Sequence, residues 1–151
     1  MKAIKIGFFS SDLNRNHSVS YFVKTILKNY NKELYEVYLY FNHKKISEGE
    51  IIEKVKNLVD DYRHVFELSD IEAINLIRDD KIDIFIDLMG ITSESRLQLV
   101  KNRVASIQIS WCGFCNTSGI KEMDYLIADK NLILEKEKNL YHEKILFMPD
   151  I

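Results

Sequence analysis

Cysteine and proline are scarce in this sequence of 151 residues, and their scarcity excludes several classes of protein. Two cysteines cannot build the disulfide framework of a small secreted domain, which favours a reducing compartment. The single proline is Pro149, and the chain has no internal repeat, low-complexity tract or linker. We therefore expect one domain over residues 1–151.

Long hydrophobic runs and an excess of charge are also absent. No apolar run approaches the ~20 residues that cross a bilayer, and Met1-Lys2-Ala3 leads directly into a strand-like segment instead of a signal peptide. The net charge of −2 does not indicate a basic surface that would bind nucleic acid or acidic lipid. These absences predict a cytoplasmic protein without nucleic acid or membrane as a partner.

Motifs for several common chemistries are missing. Gly7 stands alone, without the G-x-G-x-x-G turn that seats a dinucleotide, and the chain has no P-loop or nucleophilic serine elbow. The four histidines, His17, His43, His64 and His142, are too scattered to indicate a zinc site. We therefore predict no metal site and no cofactor.

Strand-like and helix-like segments alternate along the chain. The strands are predicted at residues 4–9, 35–41, 62–68, 82–88, 104–111, 125–128 and 144–148, with helices starting near residues 18, 51, 69 and 96. Such a βαβ series predicts an α/β fold, a Rossmann-like parallel sheet flanked by helices on both faces.

Apolar residues at helical spacing define the faces of these helices. The first helix carries one apolar stripe made of Val19, Phe22, Val23, Ile26, Leu27 and Tyr30, and the second carries Ile51, Ile52, Val55, Leu58 and Val59. Ser69 and Glu72 have the spacing of a capping box, and we expect the helix that follows to bury Ile71, Ile74 and Ile77.

Three loops that leave the carboxyl ends of strands carry more than turn residues. They are 10–17, 89–93 and 111–119. Ligands of open α/β sheets bind outside the carboxyl ends of the strands, so we expect all three loops along one edge. In particular, Asp12, His17, Thr92 and Gly113 should converge there.

The first loop leads straight into a helix. His17 and Ser18 would therefore lie beside the unpaired N–H groups and the positive end of the helix dipole, a natural seat for a phosphate or another anion. Polarity alone equally allows an ordinary turn with Ser18 as the helix cap. Asp87, at the end of the central strand, could hydrogen-bond loop N–H groups, a structural role more than a catalytic one.

The segment from Trp111 to Cys115 reads W-C-G-F-C, close to the redox box of thioredoxin-like oxidoreductases. A redox pair needs its first cysteine at a helix N-terminus to lower the thiol pKa, and the residues that follow here, N-T-S-G, favour a loop. Several βα units precede the box, and no proline precedes Pro149. The context therefore argues against dithiol chemistry.

Four segments in order carry a family resemblance over essentially the whole chain. They are IGFFSSDLNRNHSVSYF, IDIFIDLMGITSESRL, SIQISWCGFCNTSGIKEMDYLIAD and YHEKILFMPD. With them the chain resembles the first catalytic lobe of the O-linked N-acetylglucosamine transferases, including their bacterial and plant Spindly-type relatives. That family has a two-lobed GT-B fold, so the resemblance implies that this chain is the N-terminal lobe.

The resemblance also implies roles for residues. It places Asp12 and His17 at positions proposed for catalysis, and it places the flank of His17 against the sugar donor. Together with the polar loop after the central strand, it gives a substrate-binding set of Ser18, Gly90, Thr92, Trp111, Cys112, Gly113, Thr117, Ser118 and Gly119. Cys112 and Cys115 depart from the family's usual loop, which leaves the identity of the sugar open.

The implied activity is inverting, metal-independent transfer of GlcNAc or a related sugar from a UDP-sugar to Ser or Thr of an acceptor protein. The UDP-sugar would be a substrate and not a cofactor. In the family, a second lobe carries most nucleotide contacts and helical repeats recognise proteins, and neither occurs in this sequence. The alternative is a stand-alone, non-catalytic Rossmann-like module that binds a ligand or a protein.

Overall fold

The structure, a computed structural model, describes residues 2–13, 17–44 and 50–149, and within them seven parallel strands form one sheet. The strands are β1 (Ile4–Ser10), β2 (Tyr35–Phe41), β3 (Asp61–His64), β4 (Ile84–Asp87), β5 (Ile107–Trp111), β6 (Tyr125–Ala128) and β7 (Lys144–Phe147). The helices are α1 (Ser18–Asn29), α2 (Glu50–Lys56), α3 (Asp70–Asp79), α4 (Leu97–Lys101) and a 3₁₀ helix, Glu135–Leu140.

The strand order is β3-β2-β1-β4-β5-β6-β7, and every neighbouring pair is parallel. The chain reverses its direction of travel across the sheet between β1 and β4. In open α/β sheets this switch point opens a crevice at the carboxyl ends of the strands. The predicted fold class, a Rossmann-like parallel sheet flanked by helices, is confirmed.

Helices cover both faces of the sheet because the central strands are apolar on both faces. In β1, Phe8 packs in the cluster that contains residues of α1, whereas its neighbour Phe9 packs in the cluster that contains residues of α3 and α4. Successive side chains of a strand point to opposite faces, so adjacent apolar residues are what a doubly covered strand requires.

The apolar stripe of α1 is wider than the face that packs. Val19, Val23 and Leu27 are buried, but Phe22 and Ile26 are 47% and 41% exposed. Phe22 lies about 100° around the helix from Val23 and Ile26 about 100° from Leu27, so both side chains fall on the edge of the packing face. This edge borders an open apolar groove of about 670 Å³.

The capping box predicted at the start of α3 is confirmed. The Ser69 hydroxyl accepts a hydrogen bond from the backbone N–H of Glu72, and the Glu72 carboxylate accepts one from the backbone N–H of Ser69. The predicted burial of Ile71 is wrong, since its side chain is 72% exposed. Residues 71 and 77 lie about 120° apart around a helix, and the sheet contacts the face that carries Ile74 and Ile77.

Several boundaries differ from the predicted ones. The strand expected at 62–68 ends at His64, and the strand expected from residue 104 begins at Ile107. Residues 14–16 of the first loop, and the side chains of Ile51 and Ile52, lie outside the described residues. Among the described helices, none has both the length and the apolar composition needed to cross a membrane.

Candidate functional site

The three loops predicted to meet do so at the switch point of the sheet, around a cavity of about 170 Å³. Its lining residues are Ser11, Asp12, His17, Leu88, Met89, Thr92, Ser93, Glu94 and Gly113. The first three come from the loop after β1, the next five from the loop after β4, and Gly113 from the loop after β5. The predicted convergence of Asp12, His17, Thr92 and Gly113 is therefore confirmed.

The first loop is positioned by buried serines and by a methionine of the second loop. Ser10 and Ser11 are both 0% exposed, and the Ser10 hydroxyl accepts a hydrogen bond from the backbone N–H of Asp12 at 3.0 Å. The backbone N–H and the hydroxyl of Ser11 each lie 3.2 Å from the sulfur of Met89, which accepts both hydrogen bonds. The buried carboxylate of Asp12 thus begins a loop that is tied to the end of β4.

His17 is the N-cap residue of α1, and its side chain makes no capping hydrogen bond. Ser18 is the first helical residue, so the alternative in which Ser18 caps the helix is wrong. The Nδ1 atom of His17 is shielded from solvent, has no hydrogen-bond partner within the part of the chain that the structure describes, and lies 3.9 Å from Oδ2 of Asp12. That distance is too long for a hydrogen bond but suits a charge pair when the imidazole is protonated.

Asp87 holds the start of the second loop through hydrogen bonds, as predicted. Its carboxylate accepts hydrogen bonds from the backbone N–H groups of Met89 at 2.9 Å and Gly90 at 3.2 Å. Burial raises the pKa of Asp87 to about 6, against the lowering effect of these two hydrogen bonds. The predicted hydrogen bonds from Asp87 to loop N–H groups are confirmed. Asp87 does not line the cavity, and its purely structural role stays a prediction.

The second and third loops interlock through two glycines. A Cβ atom on Gly113 would lie 1.7 Å from the carbonyl oxygen of Leu88, so only glycine permits this close approach. Gly90 has a φ of +57°, and a Cβ there would lie 2.3 Å from the Cβ of Phe114. Close packing therefore explains why glycine occupies both positions, and the contact of these glycines with substrate stays a prediction.

The far half of the third loop is held by a carboxylate that the sequence analysis missed. Glu143, which directly precedes β7, is 3% exposed and accepts hydrogen bonds from the Thr117 hydroxyl at 2.7 Å, from the Ser118 backbone N–H at 2.7 Å and from the Ser118 hydroxyl. Burial alone would raise the pKa of Glu143, but these hydrogen bonds hold it below its ordinary value. Thr117 and Ser118 are thus bound near the amino end of β7 and do not line the cavity. The expectation that the whole loop 111–119 lies at the carboxyl edge is wrong for this half of the loop, because in a parallel sheet the amino ends of the strands lie at the opposite edge. The role of Thr117 and Ser118 in substrate binding stays a prediction.

The remaining predicted site residues also lie outside the cavity lining. Ser18 and Gly119 are exposed, and Gly119 has a φ of +64°. Trp111 is buried and lines the apolar groove beside α1. Cys112 is exposed with a φ of +69°, and partial burial of its thiol raises the thiol pKa. Their contacts with substrate stay predictions.

Glu94 is the cavity residue that sequence reasoning missed most clearly. Its Oε2 atom is shielded from solvent and has no hydrogen-bond partner in residues 2–13, 17–44 or 50–149. Ser11, Ser93 and Met89 were noticed only as parts of polar or apolar segments. Glu94 could have been predicted from its position, because it follows Thr92 and Ser93 in a loop at the carboxyl end of the central strand. Among the described residues, no group of three or more His, Cys, Asp or Glu side chains is placed to hold a metal ion.

Comparisons with known proteins identify the relatives of this chain. The chain is 30% identical over 151 residues to the probable UDP-N-acetylglucosamine–peptide N-acetylglucosaminyltransferase SPINDLY of Petunia hybrida, an alignment that covers 99% of this chain and 16% of that protein. It is 32% identical over 130 residues to the similarly named SPINDLY protein of Oryza sativa subsp. japonica, with coverage of 85% and 14%. The chain therefore spans about a sixth of the length of these relatives.

A solved structure agrees with these relatives. A mutant of the Thermobaculum terrenum O-GlcNAc transferase superposes with a TM-score of 0.91 at 32% identity, covering 98% of this chain and 28% of that chain. The family model of glycosyl transferase family 41 matches residues 1–151. The chain therefore belongs to glycosyl transferase family 41.

Proposed function

We propose that this chain is the N-terminal lobe of a GT-B enzyme that transfers GlcNAc from UDP-GlcNAc to Ser or Thr of an acceptor protein. The proposal is supported by the family assignment and by the relatives, which are named as peptide N-acetylglucosaminyltransferases. A second lobe, outside these 151 residues, would supply most contacts to the nucleotide.

One observation carries the proposal: Asp12 and His17 face one cavity at the point where α/β sheets bind ligands. An acceptor hydroxyl must lose its proton as it attacks the anomeric carbon of the sugar. An imidazole is suited to receive that proton near neutral pH. The Asp12 carboxylate, 3.9 Å from Nδ1, would stabilise the imidazolium that forms.

The reaction would be a single displacement. The acceptor oxygen forms a bond to the anomeric carbon while the bond from that carbon to the UDP oxygen breaks, so UDP leaves with the electron pair and the configuration inverts. His17 holds the acceptor proton. In this scheme the protein's own side chains carry the proton and no metal ion takes part. Thr92 and Gly113 would border the sugar.

The experiment compares the chain with and without the second lobe of the family. We expect the isolated chain to fold cooperatively but not to bind UDP-GlcNAc tightly or to transfer GlcNAc. Supplying the second lobe should give transfer in a radiolabel assay, and His17→Ala in that complete enzyme should lower the rate by on the order of 10²-fold or more, the scale of a lost acid–base group.

The control is His142→Ala, which changes an exposed histidine outside the cavity and should leave the rate unchanged. Transfer by the isolated chain would contradict the two-lobe proposal, and full activity of His17→Ala would contradict the role of His17. A complete enzyme that never transfers sugar would favour the non-catalytic binding module.

A further inference from the structure

The cavity contains a carboxylate to which the proposed reaction assigns no task. Glu94 lines the cavity together with Asp12 and His17, and its Oε2 atom is shielded from solvent with no partner among the described residues. A buried acceptor without a donor costs roughly 1–3 kcal/mol, and more when it is charged. Such a group in a native fold therefore calls for a specific partner.

The main chain that carries Glu94 is anchored by hydrogen bonds. The backbone carbonyl of Glu94 accepts a hydrogen bond at 2.9 Å from Asn42, a buried residue at the carboxyl end of β2. Two residues further on, the Arg96 guanidinium binds the carboxylate of Asp70 and the carbonyl of Val65. Contacts on both sides thus anchor the segment that carries the unpaired oxygen.

The charges that line the cavity limit what can enter it. Among the described residues that line the cavity, two carboxylates, from Asp12 and Glu94, face one imidazole, from His17, and none is Lys or Arg. A phosphate would meet like charges in a partly desolvated site, which outweighs the attraction of one helix N-terminus. An uncharged group with hydrogen-bond donors, such as a sugar or serine hydroxyl, would satisfy the unpaired oxygen of Glu94.

We propose that Glu94 accepts a hydrogen bond from a hydroxyl group of the sugar or of the acceptor, and that the cavity excludes the diphosphate. This inference rests on the proposed function for its substrates. It differs from the expectation that the start of α1 seats a phosphate or another anion, and a phosphate titration distinguishes the two. The phosphates of the donor would then lie outside the cavity, toward the second lobe.

The first test uses the 151-residue chain itself. Inorganic phosphate is titrated to millimolar concentration while the imidazole resonances of His17 are followed by NMR, with chloride at matched ionic strength as the control. The expected result is that phosphate and chloride have the same small effect. A saturable shift of the His17 resonances with phosphate alone would overturn the exclusion of phosphate.

The second test uses the complete enzyme and Glu94→Ala, with Glu67→Gln, an exposed position outside the cavity, as the control. Loss of a hydrogen bond to a carboxylate should raise one KM by roughly tenfold to a hundredfold with little change in kcat. A rise in the KM of UDP-GlcNAc would assign the hydroxyl to the sugar, and a rise in the KM of the acceptor peptide would assign it to serine or threonine.

The outcomes separate this inference from the proposed function. If the wild-type enzyme transfers sugar but Glu94→Ala keeps both KM values, the carboxylate binds only water and the inference fails. A loss confined to kcat would also overturn it. If wild-type enzyme shows no transfer, the proposed function fails instead, and the phosphate titration still tests the cavity. Should Glu94→Ala unfold, Glu94→Gln keeps the shape and one acceptor oxygen, and a smaller rise in the same KM is expected.

Discussion

Replacing Gly113 by alanine should damage the protein far more than the same change at Gly119. At Gly113 the new Cβ would lie 1.7 Å from the carbonyl oxygen of Leu88, whereas real Cβ contacts essentially never fall below 3.0 Å. The third loop or the end of β4 must therefore move by more than 1 Å. Leu88 is fully buried at the end of a central strand, so the loop is the part that can yield.

The loss of stability in each variant can be estimated from the surroundings of the two glycines. Overpacking of a well-packed site costs about 1–3 kcal/mol and sometimes more, and the depth of the Gly113 overlap places it at or above 3 kcal/mol. At Gly119 no atom of the described residues lies within 4 Å of the new Cβ, so the penalty comes from its φ of +64°, about 1 kcal/mol. For a chain of this length each 1 kcal/mol lowers Tm by roughly 2–4 °C.

The assay is urea and thermal unfolding of wild type, Gly113→Ala and Gly119→Ala, followed by circular dichroism. We expect Gly113→Ala to lower Tm by roughly 6–12 °C and Gly119→Ala by roughly 2–4 °C. In the complete enzyme, Gly113→Ala should also lower activity strongly, since a displacement of about 1 Å in a site can cost about 100-fold. Equal and small losses of stability in the two variants would refute the contact between Gly113 and Leu88.

Two further predictions concern Asp87 and the cysteines. The pKa of Asp87 is raised from 3.8 to about 6, so the protonated carboxyl stabilises the fold at low pH and this contribution is lost as the pH rises through 6. The free energy of unfolding of wild type should therefore fall by on the order of 2–3 kcal/mol between pH 4 and pH 7 relative to Asp87→Asn. A pH-independent difference between the two proteins in urea unfolding would contradict this. Cys112 and Cys115 should stay reduced and show no insulin-reduction activity, because burial raises the pKa of the Cys112 thiol and no helix begins at the loop; activity that disappears in Cys112→Ser would contradict the prediction.

The fold was predictable because its signals are local. Strands such as β1 and β4 are short apolar runs, and the capping box at Ser69 and Glu72 marks a helix start within four residues. The exposure of Phe22 was not predictable. Periodicity identifies which residues share a helix face, but the width of the face that packs depends on which other elements cover the sheet.

The candidate site was predictable in place but not in composition. The carboxyl-end rule needs only that the strands are parallel, and it correctly brought Asp12, His17 and Thr92 together. The partners of Thr117 could not be predicted, because Glu143 lies 26 residues further along the chain and the intervening segment has no pattern that sets their pairing. Glu94 was missed for a related reason, since the burial of one oxygen depends on side chains from several loops.

The cavity is held together by contacts between loops more than within them. Met89 of the second loop accepts hydrogen bonds from Ser11 of the first, and Gly113 of the third loop touches the end of β4 at Leu88. Because each loop is positioned by another, we expect a change in one loop to displace its neighbours. Substitutions in these loops should therefore change the geometry around His17, and with it the chemistry, before they affect folding, unless, as at Gly113, they collide with the main chain that directly follows β4.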